Sequence, residues 1–299
     1  MRYLLVGLGN IGKKRLAILG SQCIGTVDPF NLEATYRSSD SCSPEGYEAV
    51  ILSVPNGVKI ELLESFLSQG KHVLVDKPLL FPDRATVNRM ADLARANGGS
   101  WQTAYNHRFE PLILRLKDVL ALGTIGRIYC GRLFYGNGTV GNVIGTWREQ
   151  GLGVLEDLGT HLLDLLDFLF DSRPSVETVS LSNYEARCFD HSLLLTEDHR
   201  FVLEMSLLSW KNSFVIELVG ERGSMHLTGL CKWGSSELVI RERVLPSGVP
   251  NETMERQSGP DPTWAAELRA FEQNARPGAT SADGDWWMSN VLHHIASPL

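Results

Sequence analysis

The first hundred residues alternate between short, continuous apolar runs and segments with helical periodicity. The apolar runs lie at 3–6, 24–27, 49–54, 72–75 and 101–104. Apolar positions recur at helical spacing between the third and fourth runs and again over 84–96. Continuous apolar strands separated by helices are typical of a parallel sheet that is covered on both faces. The pattern predicts an α/β domain over residues 1–104.

The pattern changes at about residue 105. Helices are predicted over 111–122, 154–170, 264–274 and 285–295, and strands over 128–135, 176–183, 192–196, 201–208, 214–219, 224–227 and 237–243. The later strands are too closely spaced for intervening helices, so their sheet should be mostly antiparallel. The polar stretch 246–262 is predicted to be a loop. We expect a second α/β domain over 105–299, and the C-terminal helices are candidates to pack back on the first domain.

A glycine-rich turn joins the first predicted strand to the first predicted helix. Its sequence is G-x-G-x-x-G, and its candidate cofactor contacts are Gly7, Gly9, Asn10, Ile11 and Gly12. The first glycine permits a tight turn, the second lets a pyrophosphate approach the backbone, and the third allows close helix packing. A lone match is weak evidence, but the strand-turn-helix context that the motif requires is also present. We therefore expect a dinucleotide-binding turn, followed by a solvated helix face at 13–15.

Asp28 ends the second predicted strand, about 20 positions after Gly7, where a carboxylate can accept hydrogen bonds from an adenosine ribose. A carboxylate here would repel a 2′-phosphate. The next arginine is Arg37, which does not directly follow Asp28. The sequence therefore favours NAD over NADP.

Two further motifs follow predicted strands at the edge where open α/β sheets bind ligands. Their candidate cofactor contacts are Ser53, Pro55, Asn56, Asp76, Lys77 and Pro78. The proline ring restricts Lys77 to an extended conformation. A lysine held at a cleft edge can donate to a substrate oxygen, although an exposed surface lysine is the ordinary alternative.

Asp157, His161 and Asp164 stand at i, i+4 and i+7 of a predicted helix and so share one face. A carboxylate one turn from an imidazole can orient the ring and raise its basicity, as proton transfer near neutral pH requires. Taken alone, the pattern is better explained by an ordinary amphipathic helix.

Composition narrows the class of protein. The chain has 299 residues and a net charge of −7, which provides no broad attraction to nucleic acid or to an anionic membrane. Five scattered cysteines without a C-x-x-C pair argue against a disulfide framework and a structural zinc site. No secretory signal and no run of roughly 18 apolar residues is evident. We expect a soluble, cytoplasmic protein without a metal site.

The order of the motifs resembles one family. These motifs are G-x-G-x-x-G, S-V-P-N, G-K-H-V-x-V-D-K-P, N-H-R-F and G-x-G-V-L-x-D-L-G-T-H-L-L-D. Together they resemble the glucose–fructose oxidoreductase / inositol dehydrogenase / rhizopine catabolism (Gfo/Idh/MocA) family over nearly the whole chain. The resemblance implies an N-terminal Rossmann fold and a C-terminal α/β domain with a large, mostly antiparallel open sheet. It also implies a homo-oligomer, a dimer or a tetramer, formed through that sheet.

The resemblance implies catalytic roles for Lys77, Asp157 and His161. Lys77 matches the lysine that contacts nicotinamide and substrate, and His161 matches the proton acceptor beside the family's aspartate. Two departures stand out: Asp76 replaces the signature glutamate, and Lys59 stands where histidine is frequent.

Four further residues are candidates for substrate contact. They are Asn106 and Arg108 in the N-H-R-F segment, and Trp147 and Arg148 before the helix of His161. Trp147 could stack on a sugar and Arg148 could bind an anionic group, with a packed aromatic and a surface arginine as equal alternatives.

The function implied is an NAD(H)-dependent oxidoreductase. It would transfer hydride between nicotinamide and a secondary alcohol or ketone of a sugar, cyclitol or nucleotide-sugar. The alternatives are an NAD-dependent glycosidase with transient redox chemistry and a non-catalytic NAD-sensing regulator.

Overall fold

Two β-sheets organise the chain in the computed structural model, which describes residues 1–296. The strands are β1 Tyr3–Val6, β2 Cys23–Val27, β3 Ala49–Leu52, β4 His72–Asp76, β5 Ser100–Ala104, β6 Ile128–Gly136, β7 Val176–Ser182, β8 His191–Thr196, β9 Phe201–Ser206, β10 Ser213–Gly220, β11 Gly223–Thr228, β12 Ser236–Glu242 and β13 Asn251–Gln257. The helices are α1 Asn10–Leu19, α2 Asn56–Ser68, α3 Arg84–Asn97, α4 Pro111–Ala121, α5 Thr160–Phe170, α6 Thr263–Asn274 and α7 Ala282–Ala296. Within the described residues, no helix is long and apolar enough to cross a membrane.

The N-terminal unit comprises Met1–Asn106 and Trp264–Ser289. Its five strands are all parallel and run in the order β2-β1-β3-β4-β5. The strand order reverses between β1 and β3, so their carboxyl ends flank the position where open α/β sheets bind ligands. The Rossmann-type fold expected for the first part of the chain is confirmed.

Both faces of this sheet are covered, which explains its continuous apolar strands. Along β1, Leu4 and Val6 join an apolar cluster with α2 and α3, whereas Tyr3 and Leu5 join a second cluster with α1 and α6. All four side chains are almost fully buried. Each buried apolar side chain of this size stabilises the fold by about 1.5–3 kcal/mol, which explains why the strands are apolar on both faces.

The C-terminal helices contribute to the N-terminal unit through polar contacts as well as apolar ones. Trp101 of β5 is buried, and its indole Nε1 donates to Asp285 Oδ2 of α7 at 2.9 Å. The backbone of Thr103 donates to Ser281 Oγ at 3.1 Å. The assignment of 264–289 to this unit follows from such contacts, while the boundary expected at residue 105 stays a prediction.

The C-terminal unit comprises His107–Thr263 together with 290–296. Its eight strands run in the order β13-β12-β11-β10-β6-β9-β8-β7. Every neighbouring pair is antiparallel except β6 and β9, which are parallel. The large, mostly antiparallel sheet expected here is confirmed.

The loop expected over 246–262 was wrong in part, because it contains β13. This edge strand pairs with β12, and ion pairs Arg241–Glu252 and Arg256–Glu237 cross between the two strands at 2.7 Å. The strand is largely exposed on both faces. It therefore lacks the apolar alternation by which strands are recognised in a sequence.

The long helix expected over 154–170 also differs in its first turn. Leu155–Gly159 forms a π-helical turn, and α5 follows without a break. One wide turn changes the hydrophobic periodicity too little to be detected from sequence. Such turns are frequent at functional sites, and this one contains Asp157.

We expect Trp101→Phe to destabilise the protein by about 1–3 kcal/mol, because it removes a buried donor from the carboxylate of Asp285. The urea midpoint, followed by far-UV circular dichroism, measures this change. Trp210→Phe is the matched control, since Trp210 is 71% exposed. Equal midpoints for the two variants would show that the indole hydrogen bond contributes little.

Candidate active site

The glycine turn between β1 and α1 is held against the end of β3. Gly7 has a φ of +93°, and a Cβ at this position would lie 2.2 Å from the backbone oxygen of Ser53. A Cβ on Gly12 would lie 1.9 Å from the backbone oxygen of Gly7. Both glycines are therefore required by the close approach of the chain to itself.

Gly9 differs from its two neighbours in the motif. A Cβ at Gly9 would meet none of the described protein atoms within 4 Å. Gly9 also caps α1, whose first turn, as described, has neither a side-chain cap nor an acidic residue. The N–H groups of a helix start with open space beside them suit an anion, so these residues fit the pyrophosphate of a dinucleotide.

Asp28 ties the glycine turn to the loop after β2. Its carboxylate accepts the backbone N–H groups of Leu8 at 2.8 Å, Phe30 at 2.9 Å and Asn31 at 2.8 Å. Burial acts to raise the pKa of Asp28, but these donors and the charge of Arg37 hold it below its ordinary value. The carboxylate is therefore ionised at neutral pH, as a ribose acceptor must be.

Arg37 is closer to Asp28 than the sequence suggested. Its Nη1 donates to the backbone oxygen of Asn31 at 2.7 Å and to that of Asp28 at 3.4 Å. The loop after β2 thus presents a carboxylate and a guanidinium together.

The residues predicted at the ends of β3 and β4 meet in one network. Ser53 Oγ donates to Asp76 Oδ2 at 2.5 Å, and Arg15 donates to Asp76 Oδ1 from Nη2 at 2.6 Å. Arg15 also donates to Glu267 Oε2 at 2.6 Å, and its guanidinium lies 4.5 Å from the centre of the Trp264 ring.

The solvated face expected at 13–15 was therefore wrong for Arg15, whose side chain is 3% exposed. Burial acts to lower the pKa of Arg15, but Glu267 and Asp76 together raise it. A buried guanidinium is retained where carboxylates and an aromatic face surround it.

The buried side chain of Lys59 contacts the backbone of the turn that carries Lys77. Its Nζ donates to Asn56 Oδ1 at 2.9 Å and to the backbone oxygens of Asp76 at 2.6 Å and Pro78 at 2.7 Å. The carbonyl acceptors therefore lie on both sides of Lys77. Pro55, the remaining residue of this predicted set, caps the start of α2.

In the C-terminal unit, Asp157 lies in the π-helical turn and accepts a hydrogen bond from Arg148. The distance from Arg148 Nη2 to Asp157 Oδ2 is 2.7 Å. The structure thus brings together two predicted site residues, and the charge of Arg148 is balanced by Asp157. The side chain of Trp147 lies outside the part of the chain that the structure describes.

His161 is the second residue of α5 and is 6% exposed. Its ring stacks on that of His107, with 3.9 Å between the ring centres and 26° between the planes. Tyr135 of β6 packs against both rings, at 5.9 Å from His161 and 5.4 Å from His107. Burial, and then the charge of Asp157, raise the pKa of Tyr135, so its hydroxyl stays protonated.

A second lysine completes this cluster. Lys232 Nζ lies 3.1 Å from His107 Nε2 and donates to Tyr135 Oη at 3.1 Å. An ammonium has no lone pair, so Nε2 of His107 must accept, which leaves the proton of the neutral ring on Nδ1. Lys232 therefore selects the tautomer of the imidazole that stacks on His161.

The short turn Cys231–Trp233 that carries Lys232 is anchored by buried Glu110. Glu110 Oε1 accepts the backbone N–H of Cys231 at 2.7 Å, and Oε2 accepts its thiol at 3.0 Å. Burial and Glu110 raise the pKa of the Cys231 thiol to about 12, so it is an unreactive structural group.

Arg108 and Asp164 form a separate pair. Arg108 Nη2 lies 2.6 Å from Asp164 Oδ1, Nε lies 2.9 Å from Oδ2, and Asp164 is 3% exposed. Asn106 is buried at the start of the turn Asn106–Phe109. A substrate contact for either stays a prediction. No metal-binding group of three or more histidine, cysteine or acidic side chains occurs among residues 1–296 as described.

Comparison with known proteins identifies the relationships of the chain. A model of the oxidoreductase family with an NAD-binding Rossmann fold matches residues 1–105, and a model of the GFO/IDH/MocA C-terminal domain matches residues 113–226. The chain belongs to the Gfo/Idh/MocA family. The family expected from the sequence motifs is confirmed.

Individual members of the Gfo/Idh/MocA family are distant. The chain is 31% identical over 262 residues to a 1,5-anhydro-D-fructose reductase of Ensifer adhaerens, covering 82% of this chain and 75% of that protein. It is 29% identical over 190 residues to the uncharacterized oxidoreductase YdgJ of Escherichia coli, covering 61% of this chain. The match to YdgJ spans about half of that protein's length (54%). The matches to two uncharacterized oxidoreductases of Schizosaccharomyces pombe span 40% and 36% of their lengths.

Solved structures share the fold. Levoglucosan dehydrogenase in complex with NADH superposes with a TM-score of 0.82 at 19% identity, covering 100% of this chain and 97% of that chain. This likeness extends across both described units, each of which matches the architecture of the family.

Sequence reasoning missed most of the supporting side chains. His107 stands between Asn106 and Arg108, both of which are candidates for substrate contact. A histidine in that segment could have indicated a site residue. Lys232 and Glu267 lie in a short turn and a late helix far from every motif, where no pattern in a single sequence indicates them.

We expect Gly9→Ala to leave the fold unchanged and to weaken binding of NADH and ADP-ribose by about tenfold or more, because a methyl group would occupy the open space beside the helix start. Isothermal titration measures both affinities. Gly12→Ala is the contrasting variant, since it should destabilise the unit itself. Undiminished ADP-ribose binding by folded Gly9→Ala would contradict this assignment.

We expect the neutral ring of His107 to be the Nδ1–H tautomer and to lose that preference in Lys232→Met. Imidazole ¹⁵N chemical shifts report the tautomer, and His107→Gln assigns the signals. Lys232→Arg keeps a charged donor and should preserve the wild-type pattern. An Nε2–H tautomer in the wild-type protein would rule out the inferred hydrogen bond.

Proposed function

We propose that the chain is an NAD(P)-dependent oxidoreductase that interconverts a secondary alcohol and a ketone. The observation that carries this proposal is the retention of Lys77, Asp157 and His161 in a chain whose glycine turn fits a dinucleotide pyrophosphate. A non-catalytic regulator would have no need of the three side chains.

The substrate class that we propose is a polyhydroxylated ring: a sugar, a cyclitol or a nucleotide-linked sugar. Among the relatives whose names state a substrate are a reductase of 1,5-anhydro-D-fructose and a dehydrogenase of levoglucosan, which support this class. The balanced charge of Arg148 argues against this arginine as a dedicated anion contact. Neutral substrates therefore come first in the test.

In the proposed mechanism, His161 removes the proton of the reacting hydroxyl group. Its buried ring stacks on His107 and packs against Tyr135, and these two contacts restrict its rotation and limit access of water. Proton transfer by a positioned imidazole contributes typically 10²–10⁴-fold to a rate. Asp157 is proposed to help stabilise the imidazolium that forms, although its ion pair with Arg148 offsets part of its negative charge.

Lys77 is proposed to donate a hydrogen bond to the substrate oxygen and to stabilise the charge that develops on it. The turn that carries Lys77 is fixed at Asp76 through Arg15 and Ser53. A bound nicotinamide would accept the hydride from the substrate carbon, or donate it in the reductive direction. The residues proposed to hold the dinucleotide are those of the glycine turn with Asp28, Ser53, Pro55, Asn56, Asp76 and Pro78.

For the cofactor we propose NAD, on the basis of the ionised carboxylate of Asp28. A specific observation supports NADP as the second candidate, because Arg37 reaches the backbone of the same loop. A guanidinium in this loop is a suitable partner for a 2′-phosphate. The ratio of kcat/KM with NAD to that with NADP, in wild type and in Arg37→Ala, distinguishes the two.

We further propose a cytoplasmic homo-oligomer, a dimer or a tetramer formed through the C-terminal sheet. The broad eight-stranded sheet, with exposed apolar side chains such as Tyr129 and Val219 on its strands, supports such an interface. Sedimentation velocity of the full chain measures the assembly.

The deciding experiment is NADH or NADPH formation across a panel of sugars, cyclitols, sugar acids and nucleotide-sugars. We expect His161→Asn and Lys77→Met each to lower turnover by at least about 100-fold, while ADP-ribose binds as in wild type. His294→Asn is the matched control, because His294 is exposed in the same unit as His161.

Turnover at the wild-type level in both variants would contradict the assigned roles. Release of a sugar without any net NADH signal would instead indicate the glycosidase.

A further inference from the structure

Lys59 is a buried lysine in the first turn of α2, and the proposed chemistry does not use it. Its side chain is 2% exposed, and its ammonium is bonded to three oxygens at 2.6–2.9 Å. We propose that Lys59 is a positioning residue for Lys77: it fixes the backbone on both sides of Lys77 and thereby sets where that ammonium points. This inference rests on the proposed function of Lys77.

The location of Lys59 opposes the ordinary rules of helix stability. A positive charge near a helix N-terminus is unfavourable, because the helix dipole is positive at that end. Burying an ammonium group costs several kcal/mol unless oxygens replace its water. Three oxygens replace that water around Lys59, but its charge still opposes the helix dipole. A residue that breaks this local rule at the edge of a binding turn is better explained by a role in function than by stability.

The acceptors of Lys59 specify what it holds. The backbone oxygens of Asp76 and Pro78 stand immediately before and after the residue that carries the proposed donor. Since an ammonium has three donors in a tetrahedral arrangement, binding both carbonyls fixes their separation and orientation. The third acceptor, Asn56 Oδ1, anchors the ammonium to its own helix.

A second set of contacts restrains the same turn from another direction. Arg15 and Ser53 bind the carboxylate of Asp76, while Lys59 binds its carbonyl oxygen. The segment is therefore fixed at a side chain and at two backbone oxygens, all within the N-terminal unit. Lys77 projects from between these fixed points, so a small shift of the turn displaces its ammonium.

The test compares the binding of NADH with that of ADP-ribose, which lacks the nicotinamide. If Lys59 acts through Lys77, Lys59→Met should lower NADH affinity by about tenfold and leave ADP-ribose affinity unchanged. Because coupled residues are not additive, Lys59→Met should have no further effect in the Lys77→Met background. For a substrate found in the panel, Lys59→Met should lower kcat in the wild-type background but not in the Lys77→Met background. The KM should stay nearly constant in all variants.

Lys71→Met is the matched control. Lys71 is also a lysine of the N-terminal unit, and its Nζ donates to a loop carbonyl, that of Tyr47 at 2.9 Å. Its removal should lower stability without altering NADH affinity relative to ADP-ribose. Lys59→Arg retains charge and donors, and it should restore part of the NADH affinity that Lys59→Met loses.

Amide hydrogen exchange gives a reading that needs neither cofactor nor substrate. In Lys59→Met, exchange over residues 77–81 should quicken by about tenfold or more, while exchange over β1 stays at the wild-type rate. If wild-type protein binds neither NADH nor ADP-ribose, the proposed function fails, and the exchange data alone still decide whether Lys59 holds the turn.

Two results overturn the inference. One is additivity of the two substitutions, in which Lys59→Met weakens NADH binding by the same factor in the wild-type and Lys77→Met backgrounds. The other is an unchanged exchange rate over 77–81 in a folded Lys59→Met variant.

Discussion

A buried cation must be surrounded by oxygens, and this requirement governs how the N-terminal unit is built around its ligand-binding edge. Arg15 lies between the carboxylates of Asp76 and Glu267, and Lys59 lies among three uncharged oxygens. Each cation connects elements that the parallel sheet alone would leave independent: α1 with β4 and α6, and α2 with the turn after β4. The strand ends are therefore rigid where a functional site requires precise placement.

The C-terminal unit buries two stacked imidazoles, and a contact with Lys232 favours one tautomer of His107. Lys232 determines which nitrogen of His107 carries the proton, and the face of that ring packs on His161. Glu110 fixes the turn that carries Lys232. A chain of contacts thus runs from a buried carboxylate to the proposed proton acceptor, and each member restricts the freedom of the next.

The fold and the family could be predicted from the sequence because both depend on local patterns. Strands buried on two faces are continuously apolar, and the G-x-G-x-x-G turn requires glycine where the backbone of Gly7 approaches Ser53. Strand β13 could not be recognised, since its stability comes from pairing and ion pairs with β12 rather than from an apolar face.

The side chains that support the site could not be predicted for a related reason. Arg15 looks like the third member of a solvated basic run, and only the folding of Glu267 and Trp264 against it makes it a buried residue. Lys232 is separated from His107 by 125 positions. Contacts of this range leave no periodic signal in one sequence, whereas the proposed catalytic residues were found because their motifs are contiguous.

The parallel pairing of β6 with β9, inside a sheet that is otherwise antiparallel, has a consequence for how this protein folds. Parallel neighbours cannot be joined by a hairpin, so the chain leaves β6, forms the π-helical turn, α5, β7 and β8, and only then returns as β9. The π-helical turn packs against β6 and β9. The segment that contains Asp157 and His161 is thus enclosed within a long crossover, whose closure is entropically costly and kinetically slow. Asp157 and His161 therefore lie in the connection between two strands whose pairing closes this crossover.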